Sequence, residues 1–185
     1  MNEYAGPSEK FAAGRSNYKE TNMPLPDVAS ALKSFQEALI RNTLQVRRGE
    51  LDREMLVHMD RPDGETRLSY ARMDGRTVVA LVQFIPCDPV EGEPCFSVGW
   101  AVEETRRGQG KAREVVLAAL REMRNGFTRA GMNAFWVEAI VGEDNIASQK
   151  LAERVISPPV KTGTDSYSGD PIVQYLRRIE AQSEL

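Results

Sequence analysis

One stretch constrains the fold more than any other. A strand-like run, CFSVGWAV (95–102), passes through EETRRGQG (103–110) into an amphipathic helix that opens at Lys111. The run separates Phe96, Val98, Trp100 and Val102 on one face from Ser97, Gly99 and Ala101 on the other, so one face is bulky and the other nearly bare. From Lys111 onward, Ala112, Val115, Val116, Ala119, Leu120 and Met123 share one helical face, and Gly126 stands where a C-terminal cap glycine is expected. Strand, glycine turn and helix place unpaired backbone N–H groups at the positive end of a helix dipole, which is an anion site. The bare strand face has two readings: room for a helix packed close above it, or close approach of a ligand to the backbone.

The rest of the chain surrounds that unit with short elements. The first 25 residues are polar, carry scattered Gly and Pro, and are expected to form a flexible lead-in; residues 26–185 read as a single domain. Asp27 can cap a helix whose apolar positions Val28, Leu32, Phe35, Leu39 and Val46 predict that it continues to Gly49. Strand runs MLVHMD, TRLSYARM and TVVALVQFIP follow. Turn signals at 61–64 and at Asp74-Gly75 separate them, and a longer loop with Pro89, Gly92 and Pro94 leads on to the fourth strand. The Asp74-Gly75 pair predicts a hairpin with both central residues at positive φ. After the long helix come a strand (AFWVEAIV), a second helix near Asn145 to Arg154, a stop at Pro158-Pro159 and a last strand (PIVQYLRR). The order predicts an α+β fold: a mixed, mostly antiparallel central sheet flanked by helices.

Bulk properties exclude several function classes. The 185 residues carry a net charge of -3, which offers no global attraction to nucleic acid or to an anionic membrane, and no apolar run is long enough to span a bilayer. A cytoplasmic location is expected. His58 is the only histidine and alternates with apolar neighbours as a strand residue does, so a multi-histidine metal site is excluded and no metal is expected. Cys87 and Cys95 match no zinc or redox spacing and are expected as free thiols.

Three phosphate motifs compete for the turn. The triphosphate loop needs Gly-Lys-Ser/Thr, but Gly110-Lys111 is followed by Ala112 and no glycine stands five positions before Gly110. The dinucleotide fingerprint needs a third glycine where Arg113 stands. Arg107-Gly108-Gln109-Gly110-Lys111-Ala112 does match Arg/Gln-x-x-Gly-x-Gly/Ala, with Val102 as the apolar strand end five positions earlier. A second signature, an Asn three residues before a small residue at a helix start, is present as Asn145 and Ser148. The chain thus resembles the GNAT superfamily of N-acetyltransferases over roughly residues 69–179.

That resemblance implies acetyl-CoA as co-substrate and an amine acceptor as partner. The implied donor-binding set is the Arg107 to Ala112 turn, backbone groups near Ala101 and Val102, Asn145 on the pantetheine arm and Ser148 nearby. It also implies direct attack by a neutral amine and raises a homodimer as a possible assembly. Relatives place a glutamate where this chain has Ile140; Glu138 lies two residues earlier on the same strand face and is the candidate base, with Glu103 and Glu104 as rivals. The family's tyrosine acid is replaced by Ala152, leaving Tyr167 and Tyr175 as substitutes; Tyr175 reads equally as a strand residue. A non-catalytic acyl-CoA-binding module is the alternative function.

Overall fold

The computed structural model describes residues 27–166 and 168–181; the expected lead-in and Tyr167 lie outside them. The elements run α1 (Val28–Ile40), β1 (Arg47–Arg48), β2 (Met55–Asp60), β3 (Arg67–Asp74), β4 (Thr77–Val90), β5 (Glu93–Val102), α2 (Lys111–Arg129), β6 (Ala134–Gly142), α3 (Ile146–Val155), β7 (Lys161–Thr164) and β8 (Pro171–Glu180). The strands form one sheet in the order β1-β2-β3-β4-β5-β6-β8-β7. Every neighbouring pair is antiparallel except β5 with β6. The expected α+β architecture, a mostly antiparallel sheet flanked by helices, is what forms.

Strand alternation divides the core between the two faces of the sheet. On one side Ala71 and Leu81 meet Val28, Leu32 and Phe35 of α1. On the other, Tyr70, Ala80, Val82 and Phe84 join Val115, Val116, Ala119 and Leu120 of α2 and Ala152 and Val155 of α3. Phe96, Phe127 and Phe135 meet ring to ring, with centroids 5.2 to 5.9 Å apart, and lock β5, α2 and β6 together.

Two helix ends differ from the sequence reading. Helix α1 stops at Ile40, because Asn42 takes a positive φ of 55° and the N–H groups of Asn42 and Thr43 turn back to the carbonyls of Leu39 and Ala38. Gly49 therefore ends no helix. It sits where a Cβ would stand 2.4 Å from the Asp52 carbonyl oxygen and 2.6 Å from Oε1 of Glu122. That carboxylate, on α2, accepts the backbone N–H groups of Glu50, Leu51 and Asp52 and ties this loop to the helix. Gly126 is likewise interior to α2; Gly131, at φ 83°, caps the helix, with Met132 N–H returning to the Phe127 carbonyl.

The hairpins differ too. Met73 pairs with Val78 and Asp74 with Thr77, so the turn residues are Gly75 and Arg76, with a positive φ at Gly75 alone, the type II′ pattern. The pair with positive φ at both central residues is Glu91-Gly92, because β4 runs on through Pro86 and Pro89 to Val90, with a register shift between Cys87 and Val90. Gln36 of α1 braces the first hairpin: its Oε1 accepts the Val78 N–H at 2.6 Å and its Nε2 donates to the Arg76 carbonyl at 3.2 Å.

Candidate active site

Strands β5 and β6 pair in parallel only over Cys95–Ser97 and Trp136–Glu138. Beyond Ser97 they part. The β5 backbone groups turned away from β4 then have no strand to bond, and a cavity of ≈ 200 Å³ opens between Val98, Gly99 and Trp100 on one side and Ile140, Val141 and Gly142 on the other. Asn145 and Ser148 close it at the start of α3, and Asp27 and Val28 at the start of α1. Ala101 and Val102 lie farther along β5, paired with Leu81 and Ala80, toward the glycine turn and outside the cavity lining.

The turn is built as an N–H cradle. A 3-10 turn over Glu104–Arg106 leads into Gly108 and Gly110 at φ 72° and 75°, the left-handed region that favours glycine. A Cβ at either glycine would meet nothing within 4 Å, so space around them is open. Gly110 is the N-cap of α2 and supplies no side chain to satisfy the first helical N–H groups. The residues therefore fit an anionic diphosphate: donors, a helix N-terminus and room for a ligand lie together.

The charged residues around the turn are not equivalent. Arg107 is exposed, its Nε only 3.4 Å from the Val102 carbonyl oxygen. Lys111 Nζ is held at 3.0 Å by Glu114, and Arg106 pairs with Asp74 at 2.7 Å. Gln109 donates to the Thr105 carbonyl at 3.2 Å and steadies the turn. The Asn145 side chain caps α3, its Oδ1 accepting the Ser148 N–H at 3.1 Å, so its amide nitrogen takes no part in the cap.

Among the carboxylates, Glu138 stands at the last paired step before the strands part, opposite Ser97, half-buried, and accepts a hydrogen bond from Gln174 Nε2 on β8. It shares a sheet face with Ile140, which lines the cavity. Glu103 is turned away from this role: it accepts the Thr105 hydroxyl at 2.5 Å and the Thr105 N–H at 3.1 Å, bonds that hold its carboxyl below the usual range. Glu104 is exposed in the 3-10 turn.

Tyr175 is 1% exposed among the residues packed under α2 and α3, and burial pushes its hydroxyl pKa up. Its register partner is Ala139, the neighbour of Glu138 and Ile140, so it points to the opposite sheet face. Tyr175 is thus a core residue, and Ala152, also fully buried, leaves the family's tyrosine position apolar. His58 is structural: its Nδ1 lies 2.8 Å from the Gln45 carbonyl oxygen and its ring packs edge-on to Phe35.

The bare face of β5 serves helix packing. Gly99 lies under Val28 of α1, and Ala101 packs into the cluster that α1 makes with the sheet. The signal missed in the sequence was the cavity's other wall, Ile140 to Gly142, whose alternation reads as an ordinary strand.

Comparison with known proteins decides the family: residues 28–155 match the model of the acetyltransferase (GNAT) domain. The chain belongs to the GNAT acetyltransferase family. Similar solved structures include a chain of the NatC complex bound to Gag peptide and CoA, at 18% identity and a TM-score of 0.48, covering 60% of this chain and 70% of that one. Another is a putative acetyltransferase of the GNAT family from Desulfovibrio desulfuricans, at 17% identity and a TM-score of 0.46, covering 62% and 69%. A third, from Salmonella typhimurium, modifies the N-terminal serine of ribosomal protein L7/L12, at 18% identity and a TM-score of 0.46, covering 62% and 64%. No curated protein matches the chain significantly. Among the described residues of this GNAT chain no group of His, Cys, Asp and Glu could hold a metal ion, and no helix is long and apolar enough to cross a membrane.

Proposed function

We propose that the protein is an acetyl-CoA-dependent N-acetyltransferase that moves an acetyl group onto a primary amine, a small amine or a protein N-terminus, by direct attack. The observation that supports this reading is the parting of β5 and β6 after Ser97, with Glu138 at the last paired step and the uncapped start of α2 following β5 through the glycine turn. The N–H groups of the Gly108 to Ala112 turn, with Arg107 and Lys111, bind the diphosphate. Asn145 donates to the pantetheine arm, Ser148 lies beside it, and the β5 backbone toward Ala101 and Val102 supplies the strand edge along which the arm lies. Acetyl-CoA brings an activated thioester carbonyl, so the protein's tasks are to position it, exclude water and accept a proton.

Glu138 is the proton acceptor in this scheme. The arriving amine is protonated, and a carboxylate at the apex of the opening takes its proton directly or through one water. Gln174 holds one carboxylate oxygen, leaving the other for the amine. The leaving thiolate belongs to a thiol with an ordinary pKa of about 8.5 and departs without a dedicated side-chain acid.

A second reading, a non-catalytic acyl-CoA-binding module, draws on the core placement of Tyr175 and Ala152, which removes the family's tyrosine acid. One experiment separates the two. Free-thiol release from acetyl-CoA is measured with a panel of primary amines for the wild type and for Glu138→Gln. The transferase reading predicts thiol release with at least one amine and a fall of about 10²-fold or more in the variant at unchanged acetyl-CoA affinity. Acetyl-CoA binding with no thiol release from any amine supports the binding module, and an unaltered variant rate removes Glu138 as the base.

A further inference from the structure

Cys87 on β4 and Cys95 on β5 are direct partners across the antiparallel ladder. Both are free thiols; Cys95 is buried and Cys87 half-buried, so reagents reach the pair from the Cys87 side. Opposed residues of an antiparallel pair have Cα atoms about 4.5 to 5.5 Å apart and side chains on one face. A disulfide spans Cα atoms about 4.4 to 6.8 Å apart, so the register alone brings these two within bridging range. The final approach of the Cβ atoms, from about 4.5–5.5 Å in a paired strand to about 3.5–4.5 Å in a disulfide, falls beside the register shift between Cys87 and Val90, where the ladder is already irregular. The thiols also interact: hydrogen bonding to Cys95, then burial, then the charges of Cys95 and Glu138 push the Cys87 thiol pKa up, which disfavours the attacking thiolate and makes the exchange quicken as pH rises.

We infer that Cys87 and Cys95 form a reversible cross-strand disulfide site whose reagents are low-molecular-weight disulfides. In the first step one cysteine thiolate attacks a sulfur of the small disulfide; its S–S bond breaks, a mixed disulfide forms and one small thiol leaves. The second cysteine then attacks the protein sulfur of the mixed disulfide, forms the Cys87–Cys95 bond and releases the second small thiol. Two protein thiols are oxidised, one small disulfide is reduced, and both protons leave with the departing thiols. The bridge would lie where β5 and β6 are still paired, since Cys95 is the partner of Trp136 and stands two residues before Ser97, the partner of Glu138. None of this depends on acetyl transfer.

The folded full chain is incubated with glutathione disulfide and followed by thiol titration, intact mass and non-reducing peptide mapping, with the urea-unfolded chain as a reactivity control. The inference predicts that the folded protein loses both thiols and two hydrogens in mass, gives a linked peptide pair containing Cys87 and Cys95, and is restored by dithiothreitol. Cys87→Ser and Cys95→Ser each remove the linked peptide. A persistent mixed disulfide on Cys87 with Cys95 free, a bridge between two chains, or two unreacted thiols in the folded protein while the unfolded control reacts, each overturns it.

Discussion

Cγ2 of Val28 lies 2.6 Å from the position that a Cβ on Gly99 would occupy, so α1 is seated on β5 at a point where only glycine fits. Both residues line the cavity between the parting strands, which makes this contact the hinge between helix packing and the candidate donor crevice.

Gly99→Ala forces Val28 outward. The expected cost is about 1–3 kcal/mol of stability in urea unfolding, typical of an overpacked contact. Acetyl-CoA affinity is expected to fall with it, because the cavity wall moves. Combining Gly99→Ala with Val28→Ala relieves the overlap, so the double variant should lose less than the sum of the two single losses. Strict additivity would show that the two residues are not in forced contact.

Asp52 gives a pH signature. Burial works against its charge, but the Arg72 guanidinium 2.5 Å away and the Glu54 N–H override burial and hold the carboxyl below its ordinary value of 3.8. A carboxyl whose folded pKa is depressed contributes stability that is present above the unfolded pKa and lost as pH falls through the folded one. The stability advantage of the wild type over Asp52→Asn is therefore expected to be level above about pH 3.8 and to shrink below it. Paired urea titrations at descending pH measure this; an advantage that grows on acidification contradicts the ion-pair account.

Tyr175 carries a negative prediction. It is buried on the sheet face opposite Glu138, so its hydroxyl is expected to donate no proton in the proposed reaction. Tyr175→Phe should leave amine acetylation within about twofold of wild type, since loss of general acid catalysis would cost about 10²-fold or more. A loss of that size would place the hydroxyl in the chemistry after all.

Legibility in the sequence followed the range of the interactions. The runs MLVHMD, TRLSYARM, CFSVGWAV and AFWVEAIV became strands because alternation is local, and the helix start at Asn145 and Ser148 was legible because the two stand three residues apart. Helix α1 was read too long because Val46 continues the helical spacing, whereas it packs beside α1 from the loop that Asn42 opens. Gly49 stands where the helical spacing predicts a stop, but its constraints are the Asp52 carbonyl oxygen and Glu122, the latter far along the chain. Two prolines hid the length of β4, and the short β1 and β7 carry too few residues for a period to register. Of the candidate site, the turn was legible as a motif. The bond from Gln174 to Glu138 was not, since it depends on which strands end up side by side.

The central claim is that the turn after β5 binds acetyl-CoA. The direct measurement is calorimetric titration of acetyl-CoA into the wild type and into Arg107→Ala/Gly110→Glu, with circular dichroism confirming that the variant is folded. Glu at position 110 must take the left-handed conformation of Gly110 at a cost of roughly 1–2 kcal/mol and puts a carboxylate where the diphosphate would lie. The account predicts saturable one-to-one binding by the wild type and at least a hundredfold weaker binding by the folded variant, a loss of about 2.8 kcal/mol. Equal affinity in the two proteins, or no binding by the wild type, would contradict it.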